Sequence, residues 1–427
     1  MFRDYCSQTE GDVLRIPKTF ESVTKIDFLF LLIAILMLMS GVQIQMLASS
    51  YLTYEIESSG TILGLVNAGS SIPILLFSLF GGAIADQFNR KRIILGGQLF
   101  SGLIAIVVAM LLFMDILTWH HLFAASLLQG VVFAFLFPAK QAIIPQLVGK
   151  DLLSNAVALN ASVMSMTTLL APGIAGVLYG FIGPAKLYVL ISILCFSSSI
   201  FTLLIKGDMK ISTGKGDAEL GLGKKRGFQV VMREIGEGLS FVLKNQLIFI
   251  LLLLALATTL FAMPFRFLLP IFIKDIYHLG PDAMGLLVSL TGLGALIGSL
   301  WVASLRKGYR GQVLIAGTLI SGVVLLLVAA IPFYYFAVVM MLFLGLGDSI
   351  RRTTNMALLM EGCDEEYRGR IMSIYMLNFG LMPLGVLPAG FIADLVGGQI
   401  SVGIFALLLV IFTAWVYFFK PVVKVTQ

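Results

Sequence analysis

Long stretches without a single charged residue constrain this chain more than any other feature. An α-helix needs about 20 apolar residues to cross the hydrocarbon core of a bilayer, whereas the strands of a membrane barrel are about 10 residues long and alternate in polarity. Runs of at least 19 uncharged residues therefore indicate spanning helices. The runs are 28–54, 58–85, 93–114, 116–139, 152–185, 187–205, 245–265, 283–305, 311–347, 371–393 and 395–419.

The run 311–347 is too long for one span. It has 37 residues and contains Pro332, which has no N–H to donate within a helix. Its second part becomes a full span only if it continues past Asp348. We therefore predict twelve transmembrane helices in an all-α integral membrane protein. Composition agrees, because charged residues make up only 12% of the chain, against about 25% in a soluble domain.

The distribution of Lys and Arg predicts the orientation, because cytoplasmic loops carry an excess of both. If the N-terminus is cytoplasmic, 26 of the 29 Lys and Arg residues also lie on the cytoplasmic side. Lys186 and Lys274 would be external, and Arg266 would lie within a helix. We expect both termini in the cytoplasm. We attribute the net charge of +6 to this topology and expect no nucleic acid partner.

The longest polar stretch, 206–244, divides the chain into six plus six helices. Apolar residues recur at helical spacing from Phe228 to Val242, which predicts a helix that lies on the inner membrane surface or packs on the protein as a linker. A shift of 214 residues aligns 175–183 with 389–397, which favours two pseudo-symmetric bundles made by duplication. The predicted parts are a cytoplasmic segment 1–26, a first bundle 27–205, a linker 206–244, a second bundle 245–419 and a cytoplasmic tail 420–427.

The stretch GGAIADQFNRKRII, residues 81–94, lies between the second and third predicted helices. Together with the six-plus-six organisation, it resembles the major facilitator superfamily of secondary transporters. The superfamily signature in this loop is Gly-x-x-x-Asp-Arg/Lys-x-Gly-Arg-Arg/Lys, from which Gln87 and Asn89 depart. The matching residues are Gly82, Asp86, Arg90 and Lys91.

The resemblance implies that this loop is a conformational switch. Asp86 could accept hydrogen bonds from the N-terminal amides of a neighbouring helix. Arg90 and Lys91 would point to anionic lipid or pair with acids of the other half. The alternative is a tight, basic cytoplasmic loop whose Asp ends a helix. Because Asn tolerates a left-handed conformation, we expect Asn89 to keep the turn.

A narrower resemblance covers most of the chain. The stretches 51–86, 137–166 and 366–397 are similar to the drug-efflux branch that includes the enterobactin exporter and macrolide efflux proteins. This resemblance implies a prokaryotic inner-membrane protein that exports small molecules in exchange for protons. Pro172, Gly173 and Gly176 resemble the antiporter motif of helix five; ordinary small-residue packing is the alternative.

The superfamily resemblance also implies that helices one, four, seven and ten line a central cavity. Polar residues within apolar helices are costly and usually face such a cavity, although most Phe side chains face lipid or core. The candidates for contact with substrate are Gln43, Gln45, Gln129, Phe133, Thr258, Phe265 and Asn355.

Asp348 is the only carboxylate that the prediction places deep within a span. Arg351 and Arg352 follow it at i+3 and i+4, where they can pair with it. A carboxylate that alternates between an arginine and a proton would couple transport to protons; a permanent structural ion pair is the alternative. Arg266, in helix seven, either faces the cavity or extends toward the outer surface.

We therefore predict a secondary transporter that exports largely apolar or amphiphilic molecules of drug, macrolide or siderophore type. Protons are the expected coupling ion, and Na⁺, a lipid or lysophospholipid flippase and an importer remain alternatives. The sequence contains no P-loop, no Gly-x-Ser-x-Gly and no His or Cys at metal-ligand spacing, so we expect neither enzyme activity nor a metal or cofactor. No segment is long enough for the soluble domain of a sensor. The expected partners are the substrate, protons and membrane lipids, and the expected state is a monomer.

Overall fold

The computed structural model describes residues 18–77, 89–149, 151–206, 240–304, 309–363 and 365–419. These residues form helices joined by short turns, and no strand occurs among them. The parts predicted before residue 18, in the linker up to Leu239 and in the tail from 420 lie outside the described residues. The predicted domain boundaries therefore stay predictions.

A short 3₁₀ helix, Lys18–Thr24, precedes the first membrane helix. Helices α5 and α6 occupy 153–182 and 184–204, and α11 consists of two pieces, Glu365–Gly380 and Pro383–Val396. The other helices are α1 Ile26–Glu57, α2 Gly60–Phe77, α3 Arg90–Phe113, α4 Trp119–Val148, α7 Gln246–Ile276, α8 Pro281–Ser304, α9 Arg310–Ala330, α10 Tyr334–Glu361 and α12 Gly398–Phe419.

Ten helical segments of the described chain are long and apolar enough to cross a membrane. One of them, Leu153–Leu204, has 52 residues and breaks at Gly183, where φ is 80° and ψ is 165°. Glycine adopts this backbone conformation without steric cost, so the segment is two spans, α5 and α6. Adding the two-piece α11 gives twelve spans within the described residues, the number that the sequence predicts.

Asn89 starts α3 in a different way from the one predicted. Its φ is −62° and its ψ is 114°, so the expectation of a left-handed turn is wrong. The side chain instead accepts hydrogen bonds from the backbone N–H groups of Lys91, at 3.0 Å, and Arg92, at 3.3 Å. Asn is among the preferred residues for this N-cap role, which explains how it replaces the glycine of the signature.

Buried polar side chains hold helices together within the first half of the protein, which consists of α1 to α6; the second half consists of α7 to α12. The Gln98 amide of α3 donates to the Ser198 hydroxyl of α6 at 2.7 Å, and that hydroxyl donates to the Ala34 carbonyl of α1 at 2.8 Å. Between apolar helices in a membrane, such hydrogen bonds and close packing replace the hydrophobic effect as the source of association. In the second half, α10 packs closely against α8 and α9.

Two helix pairs make the most extensive described contacts between the halves, α2 with α11 and α5 with α8. Gly60 of α2 contacts the backbone of Gly390, and a β carbon on Gly285 of α8 would lie 2.6 Å from the Pro172 carbonyl oxygen of α5. These contacts lie near the α1–α2, α7–α8 and α11–α12 turns, which the Lys and Arg distribution predicts to be external. We name this side the predicted outer face and the opposite side the predicted inner face.

Replacing Gly176 with Ala tests the α5–α8 contact. The added methyl group would overlap the Pro281 carbonyl oxygen and lie 3.0 Å from the Gly285 Cα atom. Overpacking of this kind costs about 1–3 kcal/mol, so the melting temperature of the purified protein should fall. Gly96→Ala is the matched control, because a β carbon there has nothing within 4 Å and Ala favours a helix. Equal melting temperatures for the two variants would contradict the close contact.

Candidate functional site

A small cavity of about 20 Å³, enough for about one water molecule, lies between the two halves in this conformation. Its walls come from α1 and α5 of the first half and from α7 and α8 of the second. Participation of α1 and α7 agrees with the prediction, while α5 and α8 take the places expected for α4 and α10. Close contact of α5 with α8 explains this difference, because it brings both helices to the wall. The lining residues are Gln43, Met46, Leu47, Ser50, Pro172, Arg266, Phe267, Met284 and Val288.

Arg266 faces this cavity rather than the outer surface. Its side chain is half-buried, and it follows an interruption of α7 at Ala262 and a proline at 264. No described residue provides a hydrogen-bond acceptor to its guanidinium group. Arg266 also lies within electrostatic range of Asp348 and Arg352 of α10, although neither of these residues lines the cavity.

Asp348 accepts a hydrogen bond from the Arg351 guanidinium, with 2.6 Å between Oδ1 and Nη2. The Asp348 side chain is 36% exposed although it lies within α10, whereas the Arg351 side chain is 7% exposed. Gly345 and Gly347 hold this turn of α10 against the backbones of Thr291 and Gly317. The structure thus forms the i, i+3 pair that the spacing predicts and leaves its carboxylate partly exposed.

Several residues predicted to meet the substrate are buried inside one half instead. The Gln129 amide donates to the Ser101 hydroxyl at 2.9 Å, and the Asn355 amide donates to the Leu251 carbonyl at 3.1 Å. Thr258 bonds to the carbonyl of Leu254 at 2.6 Å within its own helix. Each of these side chains donates a hydrogen bond inside its own half, so a polar residue in an apolar helix need not face the cavity.

Three other candidates for contact with substrate also do not line the cavity, namely Phe133, Phe265 and Gln45. Phe265 is 4% exposed and packs edge-on against Phe272, with 5.4 Å between ring centroids, because α7 turns this side toward the core. Phe133 is half-buried and lies 5.3 Å from the Phe137 ring. Gln45 is half-buried and does not line the cavity.

Arg90 and Lys91, at the start of α3, donate hydrogen bonds to other helices of the first half. Arg90 donates to the Ala142 carbonyl of α4 at 2.9 Å. Lys91 donates to the carbonyl oxygens of Leu203, at 3.0 Å, and Ile205, at 2.7 Å. We expected lipid headgroups or acids of the other half, but the last carbonyls of α6 have no partner within their helix and attract a cation. Gly82 and Asp86 lie outside the described residues, so the switch remains a prediction.

The helix-five motif lies where the halves meet. Pro172 lines the cavity. A β carbon on Gly173 would lie 2.8 Å from the Ser289 hydroxyl of α8, and Gly176 contacts the α8 backbone. The small residues therefore allow α5 and α8 to approach across the two halves.

Sequence reasoning missed Asp394, at the end of α11. Its carboxylate accepts hydrogen bonds from the Ser59 hydroxyl at 2.9 Å and from the Gly60 N–H at 2.5 Å. The Thr61 N–H and hydroxyl donate to it at 2.8 and 2.5 Å. An acid of the second half thus caps the first turn of α2 in the first half. The signal was present, because GFIAD at 390–394 repeats the GAIAD of 82–86.

Two further contacts between the halves lie beside Asp394. The Tyr54 hydroxyl of α1 donates to the Asp275 carboxylate of α7. The Lys274 ammonium group lies 6.0 Å from the centre of the Tyr51 ring, within the range of a cation–π interaction. The structure therefore represents a conformation that is closed at the predicted outer face.

Asp394→Asn tests the contribution of this cap to closure. Loss of one capping interaction typically costs about 1 kcal/mol, so the outer side should open several-fold more often. A cysteine at Ser50, in the cavity wall, would report opening through its rate of labelling by an impermeant maleimide added outside. Asp115→Asn, in the exposed α3–α4 turn, is the control. An unchanged rate in Asp394→Asn would contradict the role of the cap.

The chain resembles known proteins along most of its length. Residues 19–426 match the transmembrane secretion effector family. The staphyloferrin A transporter of Staphylococcus aureus is 25% identical over 368 residues, 85% of this chain and 88% of that protein. Macrolide efflux protein A of Streptococcus pyogenes is 26% identical over 369 residues, 84% and 87% of the two chains. The multidrug efflux pump Tap of Mycolicibacterium fortuitum is 23% identical over 380 residues, 86% and 90%.

Solved structures show the same fold at low sequence identity. The nucleoside transporter NupG aligns with a TM-score of 0.73 and 15% identity over 92% of this chain and 99% of that one. A bacterial homologue of the human lysosomal transporter Spinster, inward-facing and unoccupied, aligns with a TM-score of 0.71 and 14% identity over 96% and 98% of the chains. The chain belongs to the transmembrane secretion effector family, and it is a multi-pass membrane transporter of the major facilitator fold, not an enzyme.

Proposed function

We propose that this transporter exports small amphiphilic molecules, of drug, macrolide or siderophore type, by alternating access in exchange for protons. The observation that carries the proposal is the cavity between two halves that are joined by contacts at one face. The names of the relatives support the direction, since two of them are efflux proteins. A further relative is a transporter of staphyloferrin A.

Alternating access requires a site that each face can reach in turn. In transporters built from repeats, the halves rock around a site near the middle of the membrane. The cavity walls come from both halves, so a rocking motion would open and close it. Separation of Asp394 from α2 would open the predicted outer face, and the loop with Gly82, Asp86, Arg90 and Lys91 would then close the predicted inner face.

Asp348 is the candidate for proton coupling. Its partial exposure lets a proton reach the carboxylate, and its pairing with Arg351 gives the charged form a partner. Protonation would release Arg351 and change the charge that Arg266 and Arg352 experience. A proton drives a conformational change only if the two conformations bind it with different affinity. A pair that is intact in this conformation and broken in the other would supply that difference.

The proposed setting is the inner membrane of a prokaryote, with both termini in the cytoplasm and the protein acting as a monomer among membrane lipids. The excess of Lys and Arg on one side supports this orientation. The proposed division is a first bundle at 27–205 and a second at 245–419, joined by the linker 206–244.

Asp348→Asn tests the coupling in a host that lacks its own efflux pumps. We expect the wild-type protein to lower accumulation of its substrate and to lose this effect when a protonophore is added. The Asn variant should fail to export uphill, because it cannot bind and release a proton.

Glu361→Gln is the matched control. It removes another carboxylate of α10, one that pairs with Arg310 at the predicted inner face, and it should retain export. Uphill export by Asp348→Asn at the wild-type rate would exclude Asp348 from the coupling mechanism.

A further inference from the structure

The Arg266 guanidinium has no hydrogen-bond acceptor among the described residues, unlike the side chains of Arg310 and Arg351. Arg310 pairs with Glu361, and Arg351 pairs with Asp348. Arg266 lines the cavity between the halves, yet no described residue accepts a hydrogen bond from it. An unpaired cation away from bulk water is costly. A guanidinium held in this way therefore has its donors available for a ligand.

The charges around Arg266 favour a negative ligand. Arg266, Arg351 and Arg352 act on a single carboxylate, that of Asp348. Arg351 already donates a hydrogen bond to this carboxylate, at 2.6 Å. Three guanidinium groups and one carboxylate give these four side chains a net positive charge. A cationic ligand would be repelled, and an anionic ligand would neutralise the excess charge.

The rest of the cavity wall is apolar. Met46, Leu47, Phe267, Met284 and Val288 line it together with Arg266. Methionine side chains adapt to ligands of different shape. Gln43, on the opposite half, adds an amide to the wall. The wall therefore suits a ligand with an apolar body and one charged end.

We infer that this cavity, once widened by separation of the halves, binds amphiphilic oxyanions, with the carboxylate or phosphate oxygens held by Arg266. The planar guanidinium group presents two parallel N–H donors, which match the two oxygens of such a group. This inference rests on the proposed export function and narrows its substrate class from amphiphilic molecules in general to anionic ones.

Transport of an anion would depend on the membrane potential. Export of one anion in exchange for one proton moves two positive charges inward. A membrane potential that is negative inside would favour both movements. Export of the anion should therefore respond to the potential even in the absence of a pH gradient.

Three compounds with one aromatic body test the inference by direct binding. The probes are 2-naphthylacetate, 2-naphthylacetamide and 2-(2-naphthyl)ethylamine, which carry charges of −1, 0 and +1 at neutral pH. Binding to the purified full-length protein in phosphatidylcholine nanodiscs would be measured by calorimetry. We expect the anion to bind about 10- to 100-fold more tightly than the amide, as for hydrogen bonds to a charged partner, and the cation to bind most weakly.

Arg266→Gln should bind the anion and the amide equally, and Arg266→Lys should retain part of the preference, because it keeps the charge without the paired donors. Arg310→Gln, at the predicted inner face, is the control and should behave like wild type. Two results would overturn the inference: equal affinity of the wild-type protein for all three probes, or an anion preference that survives in Arg266→Gln.

A second set of nanodiscs, made of phosphatidylglycerol, distinguishes the source of the oxyanion. Weaker binding of naphthylacetate there would identify a lipid headgroup as the natural ligand, and unchanged binding would identify a free solute. Binding is measured without transport, so the two proposals can fail separately. Anion preference without export would refute the proposed function alone, and export without anion preference would refute this inference alone.

Discussion

Backbone contact between glycines holds the two halves of this transporter together, and the function depends on that contact. In a membrane, apolar side chains gain little by leaving lipid for protein, so helices associate through packing and hydrogen bonds. The pairs α2–α11 and α5–α8 meet where Gly60, Gly176, Gly285 and Gly390 remove the side chains between them. Asp394 adds hydrogen bonds at the edge of this contact. Opening of the predicted outer face therefore requires these glycine contacts and the Asp394 hydrogen bonds to break, while each bundle stays packed.

The same arrangement explains where charge is tolerated inside the protein. The α5–α8 contact lies beside the cavity, and Arg266 projects into it from α7. Asp348 and Arg351 pair with each other on α10, and the carboxylate is partly exposed. A paired acid and an arginine without a described acceptor thus lie within electrostatic range of each other. The pair suits exchange of a proton, and the free guanidinium suits capture of an anion.

The fold was accessible from sequence because its cause is local. Runs of uncharged residues specify spanning helices, and Pro332 divides the longest run into two. The site was less accessible, because whether a polar residue faces a cavity or a neighbouring helix depends on packing. Asn355 and Gln43 are both amide side chains in predicted helices. The Asn355 side chain donates to the Leu251 carbonyl, whereas Gln43 lines the cavity. Asp394 was missed because it falls at the end of a run, where a charge is expected.

In the proposed transport cycle, opening of the protein at one membrane face accompanies closure at the other. Distances between spin labels test it most directly, with one pair at Glu57 and Val396 on the predicted outer face and another at Gln146 and Tyr309 on the predicted inner face. All four positions are exposed, and each pair joins the two halves. When a transported compound and a change of pH shift the population, we predict that one distance lengthens as the other shortens. Two distances that stay fixed, or that change in the same direction, would contradict the account.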